Sequence, residues 1–171
     1  GQYLHVAAAL AASGKHEVVA LGEVEKAKRR LRIPGVKLWG YQAPAPAARS
    51  THHYVKPLEA AVRRGQVIVR ACTDLKGQGF TPDVICAHPG WGEALFLKDV
   101  YPKARVKLYC EFFYRALDAD VGFDPEFPAT IDDQLRVRIK NATTLISLES
   151  CDSAVSPTQW QKQMFPGVYQ P

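Results

Sequence analysis

Short runs of apolar, often β-branched residues alternate along this chain with longer stretches in which apolar residues recur every three to four positions. A side-chain period of two and a period near 3.6 suit different elements, so the alternation divides the chain into strands and helices. The runs at 17–21 (EVVAL), 36–41 (VKLWGY), 84–87 (VICA), 105–113 (RVKLYCEFF) and 153–155 (SAV) read as strands. Helices are predicted over 3–12, stopped by Ser13-Gly14, and over 55–76, 93–100, 131–150 and 157–164. In the longest, Pro57 suits the first turn, and Leu58, Ala61, Val62, Val69, Cys72 and Leu75 form the apolar stripe. Residues 42–48 and 116–128 read as loops. Strands separated by helices mean an α/β fold: a Rossmann-like parallel sheet flanked by helices. In such sheets ligands bind outside the carboxyl ends of the strands. The segments to weigh for function are therefore 88–93, 111–127 and 156–161.

At 171 residues the chain has the size of one domain. Its 47% hydrophobic and 23% charged residues exclude a disordered tail, a collagen and a coiled coil. The longest apolar run, 6–12, is far below the roughly 20 residues of a membrane-spanning helix. No basic n-region or cleavage site marks a signal peptide, and the expected location is cytoplasmic. Twenty-two basic residues against 17 acidic ones give a net charge of +5. That balance admits nucleic acid, an anionic membrane surface, a phosphorylated substrate or a plain solvated face. The one dense run, 23–32, holds Lys26, Lys28, Arg29, Arg30 and Arg32 with no aromatic among them, so base stacking is not suggested. No helix-turn-helix, RRM or KH signature is present, and nucleic acid is not an expected partner. Cys72, Cys86, Cys110 and Cys151 form no CxxC and fit no zinc spacing, so buried free thiols are expected and no metal site.

His88 follows a strand directly and opens the segment His88-Pro89-Gly90-Trp91-Gly92-Glu93. It reads as a structural histidine or as a site group. Gly90 and Gly92 allow close approach of backbone to a ligand, and glycines ahead of a helix suit an anion. The segment is nevertheless neither GxGxxG nor a P-loop. The absence of GxGxxG after any strand also disfavours a dehydrogenase. Trp91 reads as a packing anchor or a sugar-stacking platform, and Glu93 as a first-turn acid or a ligand. Glu111 lies among aromatics in Glu111-Phe112-Phe113-Tyr114-Arg115 and needs a partner, with Arg115 one candidate, or a raised pKa. Asp118, Asp120, Asp124 and Glu126 crowd the next loop without EF-hand spacing. His52-His53 has no carboxylate near it in sequence to complete a metal site.

Six stretches together resemble the N-terminal domain of family 4 glycosyltransferases of the GT-B fold: Gly14-Lys15-His16-Glu17-Val18, Pro82-Asp83-Val84-Ile85, His88 through Glu93, Glu111 through Arg115, residues 121–128 (VGFDPEFP), and Ser156-Pro157-Thr158-Gln159-Trp160-Gln161. The Trp-Gly-Glu and Ser-Pro-Thr-x-Trp-Gln pieces are the most specific and point to a bacterial subgroup. The resemblance implies a retaining transfer of a sugar from a nucleotide-sugar donor to a glycan, lipid-linked or other acceptor, as in polysaccharide biosynthesis. It places His88 beside the transferred sugar as the catalytic residue. It places Gly90, Trp91, Gly92, Glu93, Glu111 and Tyr114 on the acceptor side. It implies no cofactor and no metal. A non-enzymatic Rossmann-like binding module is the alternative.

Relatives carry a short hydrophobic strand and a glycine-bearing loop ahead of Gly1-Gln2-Tyr3, and a donor-binding C-terminal domain beyond residues 166–171. On the resemblance the chain is therefore one N-terminal acceptor-side domain over 1–171, half of a GT-B fold, with the sheet's first strand missing. The partners implied are the donor, the acceptor and the C-terminal domain. Peripheral contact with the inner face of a membrane and a dimer through open strand edges are also allowed. In the strand order 3-2-1-4-5-6, the runs 17–21 and 84–87 would flank the missing strand. Unpaired buried backbone is costly, so they are expected to close on each other, to take up a terminal segment, or to exchange strands between copies. Transfer needs donor and acceptor in near-attack contact. The 171-residue chain by itself is accordingly expected to turn over no sugar nucleotide, and a turnover assay on the purified chain checks this.

Overall fold

The computed structural model describes residues 2–27, 32–117, 119 and 121–170. They form two compact parts, one through Ala43 and one from Pro44 onward. The first holds α1 (Leu4–Ala12), β1 (Val18–Glu23), the single turn α2 (Val24–Ala27) and β2 (Val36–Tyr41). β1 and β2 pair in parallel, from Val18 opposite Val36 to Glu23 opposite Tyr41. Of the basic run, Lys28, Arg29 and Arg30 lie outside the described residues, and Lys26 pairs with Glu23 at 2.7 Å.

The second part holds α3 (Lys56–Gly77), β3 (Val84–Ala87), α4 (Leu97–Val100), β4 (Arg105–Tyr109), α5 (Ile131–Lys140), α6 (Ala142–Ser150), β5 (Ser153–Val155), α7 (Gln159–Met164) and a short 3-10 turn over Gly167–Tyr169. Its sheet is parallel, with β4 between β3 and β5. The strand alternation sets the core. Val106 and Leu108 point inward and are fully buried, while Arg105 and Lys107 point out. Ala61, Ile68, Ala71, Cys72 and Leu75 of α3 supply much of the remaining apolar interior, so Ile68 takes the place predicted for Val69.

Every pairing is parallel, as the α/β pattern requires. Inside each ladder the neighbours are those that the order 3-2-1-4-5-6 leaves without its first member. Among the described residues β1 pairs with β2 and β3 with β4, and the expected closure of 17–21 on 84–87 is not among the ladders formed.

The ends of β1, α1, α3 and α7 shift by one or two residues from the sequence expectation, and three other elements differ more. The strand predicted to run to Phe113 stops at Tyr109, because β5 ends at Val155 and side chains then bind the backbone of 111–114. The helix predicted over 131–150 is interrupted at Asn141, whose buried side chain is committed to Tyr114. The helix predicted over 93–100 keeps only its last turn. There the chain is pressed against α3. Gly92 has φ +103°, and a Cβ on it would stand 2.1 Å from the Ala61 carbonyl oxygen. A Cβ on Gly65 of α3 would stand 2.8 Å from the Phe96 ring and 3.1 Å from the Gly92 carbonyl oxygen.

Gly65→Ala is therefore expected to destabilise by about 1–3 kcal/mol through overpacking, against its gain in helix propensity. Gly77→Ala, with nothing within 4 Å of the added Cβ, should cost nothing and gain up to about 1 kcal/mol. Denaturant unfolding of the two variants checks the contrast.

Candidate active site

The carboxyl ends of β3 and β4 lie side by side, because Ala87 is opposite Leu108 in the ladder. His88 leaves the first strand and Glu111 lies two residues beyond the end of the second. His88 Nε2 lies 3.4 Å from Glu111 Oε2, with both side chains about one-quarter exposed or less. The Gly90 N–H donates to His88 Nδ1 at 3.1 Å. Burial pushes the imidazole below its ordinary pKa, and the Glu111 carboxylate pulls it part of the way back. The ring is thus neutral at pH 7, with a carboxylate beside it.

Both loops are held from behind by buried polar side chains. The one hydroxyl proton of Ser147 of α6 is shared between the Thr143 carbonyl at 2.8 Å and the Pro89 carbonyl at 3.2 Å. Asn141 accepts from the Tyr114 N–H at 2.9 Å and donates to the Tyr114 carbonyl at 2.7 Å, so one amide satisfies both backbone groups of that residue. α7 holds the other end. Gln161 Nε2 donates to the Glu111 carbonyl at 3.1 Å, and Arg115 donates to the Gln163 carbonyl at 2.7 Å. Thr158 caps this helix through the Gln161 N–H. The Ser-Pro-Thr-x-Trp-Gln stretch, some fifty positions downstream, thereby braces the segment that carries Glu111.

The structure separates the sequence-level candidates. Trp91 is 66% exposed with its ring 6.1 Å from the His88 ring, so it is not the loop's packing anchor; fully buried Pro89 is. Glu93 faces Arg64 of α3 at 3.7 Å. α4 starts at Leu97, so Gly90 and Gly92 do not open onto a helix N-terminus, and the anion-loop reading loses its dipole. Tyr114 stacks on half-exposed Phe112, ring centroids 6.0 Å apart, with Lys140 Nζ 3.6 Å from its ring centre. Arg64, Asn141, Ser147 and Lys140 were not singled out in the sequence. Nothing in its periodicity distinguishes a brace from an ordinary helix residue.

Other expectations are revised in the same way. Cys72 and Cys110 are buried, and burial pushes their thiols up to about 11 and about 12. Cys86 is exposed on the outer face of β3, contrary to the burial expected of it. The fold gives His52-His53 the carboxylate the sequence lacks. Asp132 of α5 comes within 3.6 Å of His53 and accepts from the Tyr54 hydroxyl. In the acidic loop Asp124 accepts from the Glu126 N–H, and Asp118 and Asp120 lie outside the described residues. Among the described residues no group of three or more His, Cys, Asp or Glu is placed to hold a metal ion. Among the same residues no helix is long and apolar enough to cross a membrane.

A buried histidine with a lowered pKa binds fewer protons in the folded than in the unfolded chain below its ordinary value of 6.5. His88 therefore costs no stability at neutral pH, and stability falls as the pH drops below 6.5 toward its folded pKa. His88→Asn should flatten that part of the curve, which unfolding free energies at pH 7.5 and pH 5 will measure.

A family model described as the glycosyl transferase family 4 group matches residues 14–171. Neither curated proteins nor solved structures returned a match. The matched span holds every described element after α1, with the His88–Glu111 pair and the α7 brace. The chain belongs to the glycosyl transferase family 4 group, and its role is that of a glycosyltransferase domain acting between a sugar donor and an acceptor.

Proposed function

We propose that this domain forms the acceptor side of a retaining GT-B glycosyltransferase of a bacterial subgroup. The sugar comes from a nucleotide-sugar and passes to a glycan or lipid-linked acceptor. The observation that carries the reading is the His88–Glu111 pair at the carboxyl ends of adjacent parallel strands, in a chain of this family. His88 stands beside the transferred sugar and hydrogen-bonds to it as charge develops there. Exposed Trp91 gives the acceptor a flat apolar surface, Gly90, Gly92, Glu93 and Tyr114 complete that side, and Glu111 stands there with its carboxylate on His88. The donor nucleotide is held by a further domain of the same protein. The reading uses no metal and no cofactor.

His88→Ala in the intact enzyme should lower kcat by roughly tenfold or more, the scale of one lost transition-state hydrogen bond. Steady-state kinetics on a folded variant test it, and an unchanged kcat would return His88 to a structural role.

A further inference from the structure

The His88 ring has a partner at each nitrogen. Nδ1 accepts from the Gly90 N–H at 3.1 Å. A nitrogen that accepts carries no proton, so in the neutral ring the proton sits on Nε2. Nε2 faces the Glu111 carboxylate at 3.4 Å, which at neutral pH can only accept. Both contacts select the same tautomer. Glu111 is held in turn by α7, through Gln161 on its carbonyl and, four residues on, through Arg115 on the Gln163 carbonyl. The histidine after β3 and the motif at 156–161 thus meet at one residue, the first at the Glu111 carboxylate and the second at its backbone carbonyl.

We propose that Glu111 is a positioning residue: its backbone is held by α7, and its carboxylate keeps His88 as an Nε2–H donor at the carboxyl ends of β3 and β4. The proposal rests on the reading that His88 stands beside the transferred sugar. The 3.4 Å separation is longer than the usual 2.7–3.2 Å of an N–H···O hydrogen bond. The proton is therefore loosely held, and a sugar hydroxyl can share it. Without the carboxylate only the Gly90 contact selects the tautomer, and the ring loses its fixed direction.

The test has two arms. In the first, imidazole nitrogen NMR of the 171-residue chain should show His88 with bare Nδ1 and protonated Nε2 at neutral pH. Glu111→Leu should mix the tautomers. Glu111→Gln, whose amide oxygen still accepts from Nε2–H, should restore the single form. If Glu111→Leu does not fold, Gln161→Leu, which frees the carboxylate's backbone from α7, must produce the same mixing. In the second arm, on the intact transferase, Glu111→Leu should lower kcat about tenfold with acceptor KM within about twofold, and Glu111→Gln should regain most of kcat. An unmixed tautomer in Glu111→Leu overturns the proposal. So does a raised acceptor KM with unchanged kcat, which would make Glu111 an acceptor ligand. The first arm reads the lock without any transfer reaction, so its failure is distinguishable from an unchanged kcat in His88→Ala, which would overturn the sugar-side reading of His88.

Discussion

Where the ladders of β3 and β4 end, side chains take over the backbone hydrogen bonds, and the shape of the site depends on that handover. A buried or half-buried backbone group left unpaired costs about 1–3 kcal/mol, so the chain beyond a strand must find partners or return to solvent. Here the partners are Asn141 for Tyr114, Gln161 for the Glu111 carbonyl and Ser147 for the Pro89 carbonyl. Each is a polar side chain on a helix or, for Asn141, at the junction of two, and Asn141 and Ser147 are almost fully buried. The two loops can therefore lie still at the sheet's end without being strands themselves, and His88 and Glu111 can face each other.

The same arrangement sits at the junction between α5 and α6. Asn141 keeps helical backbone angles there, and its side-chain amide is committed to Tyr114. On the other side of the sheet's end, the absence of side chains does the work. Gly65 and Gly92 let the backbone of 92–96 lie against α3 at a distance no Cβ would permit, and Phe96 closes over the gap. One loop is fixed by added polar groups and the other by removed methyl groups. Both solutions fix chain at the carboxyl ends of the strands, where ligand sites of parallel sheets lie.

Electrostatics then follow from burial. A half-buried imidazole stays neutral because charging it would forfeit hydration, and Glu111 offsets only part of that loss. The buried thiols of Cys72 and Cys110 are held protonated by the same desolvation, which makes them packing atoms and not nucleophiles. Surface pairs such as Lys37 with Glu17 at 2.6 Å sit at exposed positions where a pair contributes little.

Periodicity by itself determined the α/β class, the parallel direction of every ladder and the bounds of β2, β3 and β5, because a buried face repeats at a fixed spacing and leaves that spacing in the sequence. His88 was legible too, since a polar residue immediately after a buried strand falls at the sheet's carboxyl end in any parallel fold. Glu111 was legible as a carboxylate in need of a partner, but not the partner. Arg115, its neighbour in sequence, reaches to α7, and His88, twenty-three positions away, is the group it meets. The tertiary structure alone decided the braces, the tautomer of His88, the exposure of Trp91 and Cys86, and the carboxylate beside His53. Each of these depends on a contact between residues far apart in the chain, and such a contact leaves no period for a local pattern to carry.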